Sequence, residues 1–260
     1  MWPVIDTHSH LFTEQFDTDR AEVLQRAKEQ GVTRIYMPNI DETTIDRVLK
    51  VSEDNSGYCF PMMGLHPTSV NENFEIALQQ VRHWLTIRRD QFVAVGEIGI
   101  DLYWDDAFLE QQMAAFEQQV KWALELDLPI VVHCRKAMQY IYKVLLPYKE
   151  TSLRGIFHSF TGDPEEAELM LRFKRFMIGV NGIVTFKKSA IPAMLPRVPV
   201  DRLVLETDAP YLAPAPHRGE RNESSYICYT LMKVAQVLAC SPEELAAQTS
   251  ANALRVFGAL

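Results

Sequence analysis

Leu128-Pro129-Ile130-Val131-Val132-His133 decides how the rest of the chain is read. It is an apolar run too short for a helix, and it ends on a histidine. Working outward, the same form recurs in Gly155-Ile156-Phe157-His158, in Val93-Ala94-Val95-Gly96-Glu97, in Leu203-Val204-Leu205-Glu206-Thr207-Asp208, and at the start in Val4-Ile5-Asp6-Thr7-His8-Ser9-His10. With the runs that lack such an ending, the candidate strands are 4–6, 34–37, 59–64, 92–97, 130–133, 155–158, 176–180 and 203–206.

Helical spacing fills the gaps. In 17–30, Val23, Leu24 and Ala27 are the apolar positions, Asp19 and Glu22 read as a capping box, and Gly31 can end the helix. In 106–126, Leu109, Met113, Phe116, Val120 and Ala123 recur at steps of four and three and form one face. Near the end, Ser241-Pro242-Glu243-Glu244 supplies an N-cap, a proline at the first helical position and a glutamate at the third.

Strands alternating with helices mean a parallel sheet, open or closed into a barrel. The polar residues decide between the two. His8, His10, Glu97, His133, His158 and Asp208 all stand at the C-terminal ends of strands. In an open sheet those ends are spread over strand spacings of about 4.8 Å each, too far for one cluster. In a barrel they converge at the mouth, where active sites sit. The expected architecture is therefore an α/β (β/α)8 TIM barrel of the metal-dependent hydrolase type, one domain over residues 1–260.

Strand periodicity puts His8 and His10 on one face, so both imidazoles can reach one ion. A lone HxH is a weak signal, and a lone buried histidine or strand-end glutamate is a common packing residue; the weight lies in the six together. Four histidines and two carboxylates exceed the needs of one tetrahedral ion. They suit two or three divalent ions with a carboxylate bridging. Nitrogen and oxygen donors without thiolate fit zinc, manganese or a similar metal; magnesium alone would use less imidazole. His66, in Gly64-Leu65-His66-Pro67, also ends a strand and reads as a substrate contact or a brace for a ligand. His83 reads as a surface or packing residue, and His217 lies in the proline-rich loop after the last strand.

Composition sets outer bounds. The 260 residues suit one α/β barrel, and 47% hydrophobic with 23% charged residues is ordinary for a globular protein. The four cysteines form no CxxC pair, so reduced, packed thiols and a cytoplasmic location are expected. No secretory signal and no membrane-spanning run is read. A net charge of −8 argues against a broad basic face for long duplex nucleic acid, but not against a phosphate substrate, because bound cations can invert the local field.

The motifs DTHSHL at 6–11, GLHP at 64–67, VGEIGID at 95–101, LPIVVHCRKA at 128–137, FHSFTG at 157–162, IGVNG at 178–182, LETDAPYL at 205–212 and RGERNE at 218–223 resemble, in order and over nearly the whole chain, the TatD family of metal-dependent deoxyribonucleases. The resemblance implies that His8, His10, Glu97, His133, His158 and Asp208 are metal ligands, the set reached from the strand ends. It implies divalent-metal-dependent hydrolysis of nucleic-acid phosphodiesters, as in a 3′-exonuclease acting on single strands or ends. Ser224 stands where the family commonly has proline.

In such a site Glu97 would bridge the ions, and Asp208 would ligate and take a proton from the attacking water. His66, Arg135, Arg221 and Asn222 are the expected substrate binders, with Arg218, Lys187 and Lys188 further cations on the rim. Tyr103, Trp104 and Tyr211 are candidates for stacking on bases, although packing is the expected use of Trp104. DNA is the expected partner, with no membrane and no obligate protein partner. A hydrolase of small amides, esters or phosphoesters is the alternative enzyme reading. A non-catalytic protein stabilised by metal ranks last, because all six ligand types are present.

Overall fold

A computed structural model of the chain describes residues 2–258, so both outermost ends of the expected 1–260 domain lie outside the described residues. Among the described residues the strands are β1 (Val4–Asp6), β2 (Val32–Pro38), β3 (Cys59–Met62), β4 (Val95–Asp101), β5 (Ile130–Arg135), β6 (Gly155–Phe157), β7 (Phe176–Val180) and β8 (Leu203–Leu205). All pair in parallel, in the orders β1-β2-β3 and β4-β5-β6-β7-β8. Two seams join these sheets. Met63 bridges Val95, with Met63 N donating to Ala94 O at 3.2 Å and Gly96 N to Met63 O at 3.1 Å. Ser9 bridges Ala209, with Thr7 N donating to Leu205 O at 3.1 Å and Asp208 N to His8 O at 2.9 Å. The sheet thereby closes on itself as the (β/α)8 barrel expected from the sequence.

The helices are α1 (Arg20–Glu29), α2 (Ile45–Asp54), α3 (Phe74–Ile87), α4 (Leu109–Glu125), α5 (Met138–Leu145), α6 (Pro164–Met170), α7 (Ile191–Met194), α8 (Ile227–Leu238) and α9 (Pro242–Phe257). The apolar face read in α4 is the buried one: Phe116, Val120 and Ala123 are fully covered, and Leu109 and Met113 pack against them. Two glutamines share that face and hold the mouth. Gln112 Oε1 accepts from Asp101 N and Gln119 Oε1 from Leu65 N, both at 2.8 Å. Ser241 caps α9 by accepting from Glu244 N at 3.4 Å. The box expected at the start of α1 does not form. Asp19 makes no capping bond there, because Arg221 captures its carboxylate.

The barrel interior is packed rather than open. Ile5, Tyr36, Met62, Ala94, Val131, Ile156, Met177 and Val204 form one buried cluster with Ala253, Val256 and Phe257 of α9, and the Phe257 ring stacks on Tyr36 with centroids 4.0 Å apart. Helix α9 thus plugs one end, and chemistry is confined to the other. The period of two carries each inward row up to that end. Val131 leads to His133 and Arg135, Ile156 to His158, Met62 to Gly64 and His66, and Val204 to Glu206 and Asp208. Two strands depart from this: β1 ends at Asp6, and His8 and His10 beyond it are out of phase with inward Ile5, and β4 is irregular. Its pairing with β5 shifts between Val95 and Ile98, and this irregularity turns Glu97 inward and lets the strand run on to Asp101, beyond the end read from sequence.

Candidate metal centre

Glu97 is the hub of the mouth. It is buried, and its two carboxylate oxygens face different histidines. Oε2 lies 3.2 Å from His8 Nε2 and 3.7 Å from His10 Nε2. Oε1 lies 2.7 Å from His133 Nδ1, 3.5 Å from His66 Nε2 and 3.8 Å from His158 Nε2. Asp208 closes the ring, with Oδ1 at 3.5 Å from His10 Nε2, 3.7 Å from His158 Nε2 and 3.8 Å from His8 Nε2. The six side chains read as ligands are therefore brought together at one end of the barrel.

Their spacing bears on what they can hold. A tetrahedral ion with bonds of about 2.0–2.1 Å separates its ligand atoms by about 3.4 Å. The His8 and His10 Nε2 atoms are 3.2 Å apart, and most separations in the cluster fall near this value. Three sets of donors lie within 4.8 Å of one another: His8, His10 and Glu97; His8, His158 and Asp208; and His66, Glu97 and His133. Imidazole nitrogens with carboxylate oxygens and no thiol suit a borderline divalent cation. The residues present fit such ions.

Electrostatics sort the histidines. Burial, then the adjacent charge of His158, pushes His8 down to about 4. The two rings stack with centroids 3.4 Å apart, so they cannot both be protonated cheaply. Burial alone would lower His158 too, but Glu206, Glu97 and Asp208 outweigh it and push it up to about 10. His133 is likewise opposed by burial yet raised to about 9 by its hydrogen bonds to Asp101 and Glu97. Burial disfavours the Glu97 carboxylate, but the histidines around it hold its acidity well below the ordinary range. Asp208 is lowered against burial by His10, His158 and His8.

Two acids that sequence reading did not single out stand behind the histidines. Asp101 Oδ2 is 2.8 Å from His133 Nε2, and Glu206 Oε1 is 3.0 Å from His158 Nδ1. Gly179 leaves the room Glu206 needs, since a Cβ there would stand 2.6 Å from Glu206 Oε2. Period-two counting back from Asp208 would have found Glu206. Asp101 was hidden by ending its strand at Glu97. Nδ1 of His8, His10 and His158 is in each case buried without a hydrogen bond of good geometry among the described residues, but only His158 Nδ1 has a carboxylate within ion-pair distance.

The other expected site residues take different places. His66 Nδ1 accepts from Thr68 N at 3.2 Å, which leaves Nε2 as the proton-bearing nitrogen facing Glu97. Arg135 lies exposed on the rim, its guanidinium 3.5 Å from the Tyr103 ring centroid. Arg221 is engaged inside the protein, donating to Asp19 Oδ1 at 2.8 Å, Asp19 Oδ2 at 2.6 Å and Gln15 O at 2.7 Å. Asn222 is fully buried, and its amide donates to Thr207 O at 2.8 Å and Tyr211 O at 2.6 Å, stapling the loop after β8. Ser224 is buried beneath the same loop with its Oγ 3.4 Å from Ser9 Oγ.

A closed parallel barrel with a histidine and carboxylate cluster at its mouth defines the class: a metal-dependent hydrolase barrel. The particular family follows from comparison with known proteins. The family described as TatD related DNase matches residues 5–258, and the chain belongs to it. It is 36% identical over 255 residues to an uncharacterised metal-dependent hydrolase, YabD, of Bacillus subtilis, with 98% of each chain covered. It is 33% identical over 261 residues to the 3′-5′ ssDNA/RNA exonuclease TatD of Pantoea ananatis, covering 98% of this chain and 99% of that one. The crystal structure of YjjV, a TatD homologue from Escherichia coli, superposes with a TM-score of 0.92 at 29% identity, covering 99% of this chain and 98% of the other. No helix among the described residues is long and apolar enough to cross a membrane.

Proposed function

We propose that this chain, as one catalytic domain, hydrolyses phosphodiester bonds of DNA from the 3′ ends of single strands, using two or three divalent ions. Zinc, manganese or magnesium would serve. The observation that carries the reading is the set of six buried or nearly buried side chains whose donor atoms are spaced for shared cations. Divalent ions held there supply Lewis acidity toward phosphate oxygens and lower the pKa of water toward neutrality.

The protein groups divide the remaining work. His8, His10 and Asp208 would hold one ion, His133 and His158 a second, and Glu97 both. Asp208 Oδ1 takes the proton of the attacking water, because it is ionised and faces the cluster. His66 Nε2–H donates to the phosphate or the leaving oxygen. Arg135 holds a neighbouring phosphate oxygen from the rim. Arg221 and Asn222, bonded within the protein, brace the loop instead. A net charge of −8 does not advertise a basic stripe for long duplex, so a strand end entering the mouth is easier to reconcile with the composition. The four free cysteines fit a cytoplasmic protein.

Digestion of 5′-labelled single-stranded and duplex oligonucleotides with added zinc, manganese or magnesium tests this. A ladder that shortens from the 3′ end, faster on single strands and abolished by chelator, is the expected result. Absence of cleavage with every metal would refute it.

A further inference from the structure

Trp104 was expected to pack, yet 76% of it is exposed. Its ring meets Tyr103 edge to face, with centroids 4.8 Å apart at 87°, and Tyr103 is itself 42% exposed. The two rings together present adjoining aromatic surface beside the mouth. The loop is not placed at random. Asp101 uses one carboxylate oxygen to accept from Tyr103 N at 2.8 Å, while the other faces His133 Nε2 at 2.8 Å. A single side chain therefore ties the aromatic pair to a proposed metal ligand.

The charges beside the rings narrow the occupant. Arg135 sits 3.5 Å and Lys136 4.9 Å from the Tyr103 centroid. Among the described residues neither cation makes a salt bridge to a carboxylate, unlike Arg221 and Arg26. Asp105, next in the loop, turns its carboxylate back onto Ala107 N. Arg135 lies over one face of Tyr103, so the open aromatic surface is chiefly that of Trp104, and an open ring with cations close by is what a nucleic-acid strand requires: a surface for the base and a charge for the phosphate. A base inside a duplex has both faces covered by its neighbours, so such a surface takes unpaired bases and strand ends in preference to the interior of a duplex.

With the nuclease reading as its basis, we propose that Tyr103 and Trp104 form a stacking platform for an unpaired base of the substrate strand, and that Arg135 and Lys136 hold the phosphates on either side of it. The platform selects single strands and frayed ends, and it does so outside the metal cluster.

The test measures binding of a short labelled oligodeoxynucleotide by fluorescence anisotropy in an Asp208→Asn background, which separates binding from cleavage. The strand is used intact and with an abasic terminal segment. Trp104→Ala is expected to weaken the intact strand about tenfold and the abasic strand less than about twofold, with Trp104→Phe recovering most of the loss. Equal weakening of both strands, or none, would overturn the platform while leaving the nuclease reading in place. Failure of the Asp208→Asn protein to bind either strand, together with no cleavage by the unmodified protein, would remove both.

Discussion

The two sides of Glu97 are built differently. On the β5 and β6 side each histidine has a carboxylate behind it: Asp101 for His133 and Glu206 for His158. On the β1 side, among the described residues, carboxylates approach His8 and His10 only at Nε2, and no carboxylate lies within ion-pair distance of either Nδ1. A carboxylate on the far nitrogen fixes the tautomer, orients the ring and makes the near nitrogen a better donor. His8 and His10 depend on packing for their orientation: His8 is sandwiched against His158, and His10 lies against Phe12 and Tyr211. One ion should therefore be held more tightly than the other, with the β5 and β6 side the stronger.

The largest expected effect breaks the weaker side. Asp208→Asn should lower kcat by about 10²–10⁴ while the fold survives, since the residue serves as both ligand and base. Circular dichroism with single-turnover cleavage checks this, and a near-normal kcat would remove Asp208 from the role. Next, Glu206→Gln and Asp101→Asn should each weaken metal binding about 10- to 100-fold, and only for the tighter of two binding steps seen by equilibrium dialysis. Loss from both steps alike would show that the sides are not distinct. A smaller contrast sharpens the picture at the rim. Arg135→Ala should raise KM for an oligonucleotide about tenfold, as loss of a charged hydrogen bond would, whereas Arg221→Ala should stay within about twofold because its guanidinium is bound to Asp19. An unchanged KM for Arg135→Ala would end the phosphate-holding role.

The barrel was legible because its strands are short apolar runs, and because a closed sheet is what allows residues as distant in sequence as His8 and Asp208 to meet. The ligand positions were legible for the same reason: histidine and carboxylate residues end those runs. What sequence hid was pairing. Asp19 reads locally as a helix cap, but its partner Arg221 lies 202 residues away, and a bidentate ion pair prevailed over a cap. Asp101 and Glu206 look like ordinary strand acids until a histidine from another strand end is placed against each. Trp104 reads as a packing residue because most tryptophans are, and only its exposure on a loop tied to Asp101 says otherwise.

Crystals soaked in manganese or zinc and measured at the metal's absorption edge test the shared-cation claim most directly. Anomalous peaks are expected on both sides of the Glu97 carboxylate, one contacted by His8, His10 and Asp208 and the other by His133 and His158. A mouth without peaks at saturating metal, or a single ion that Glu97 does not touch, would contradict it.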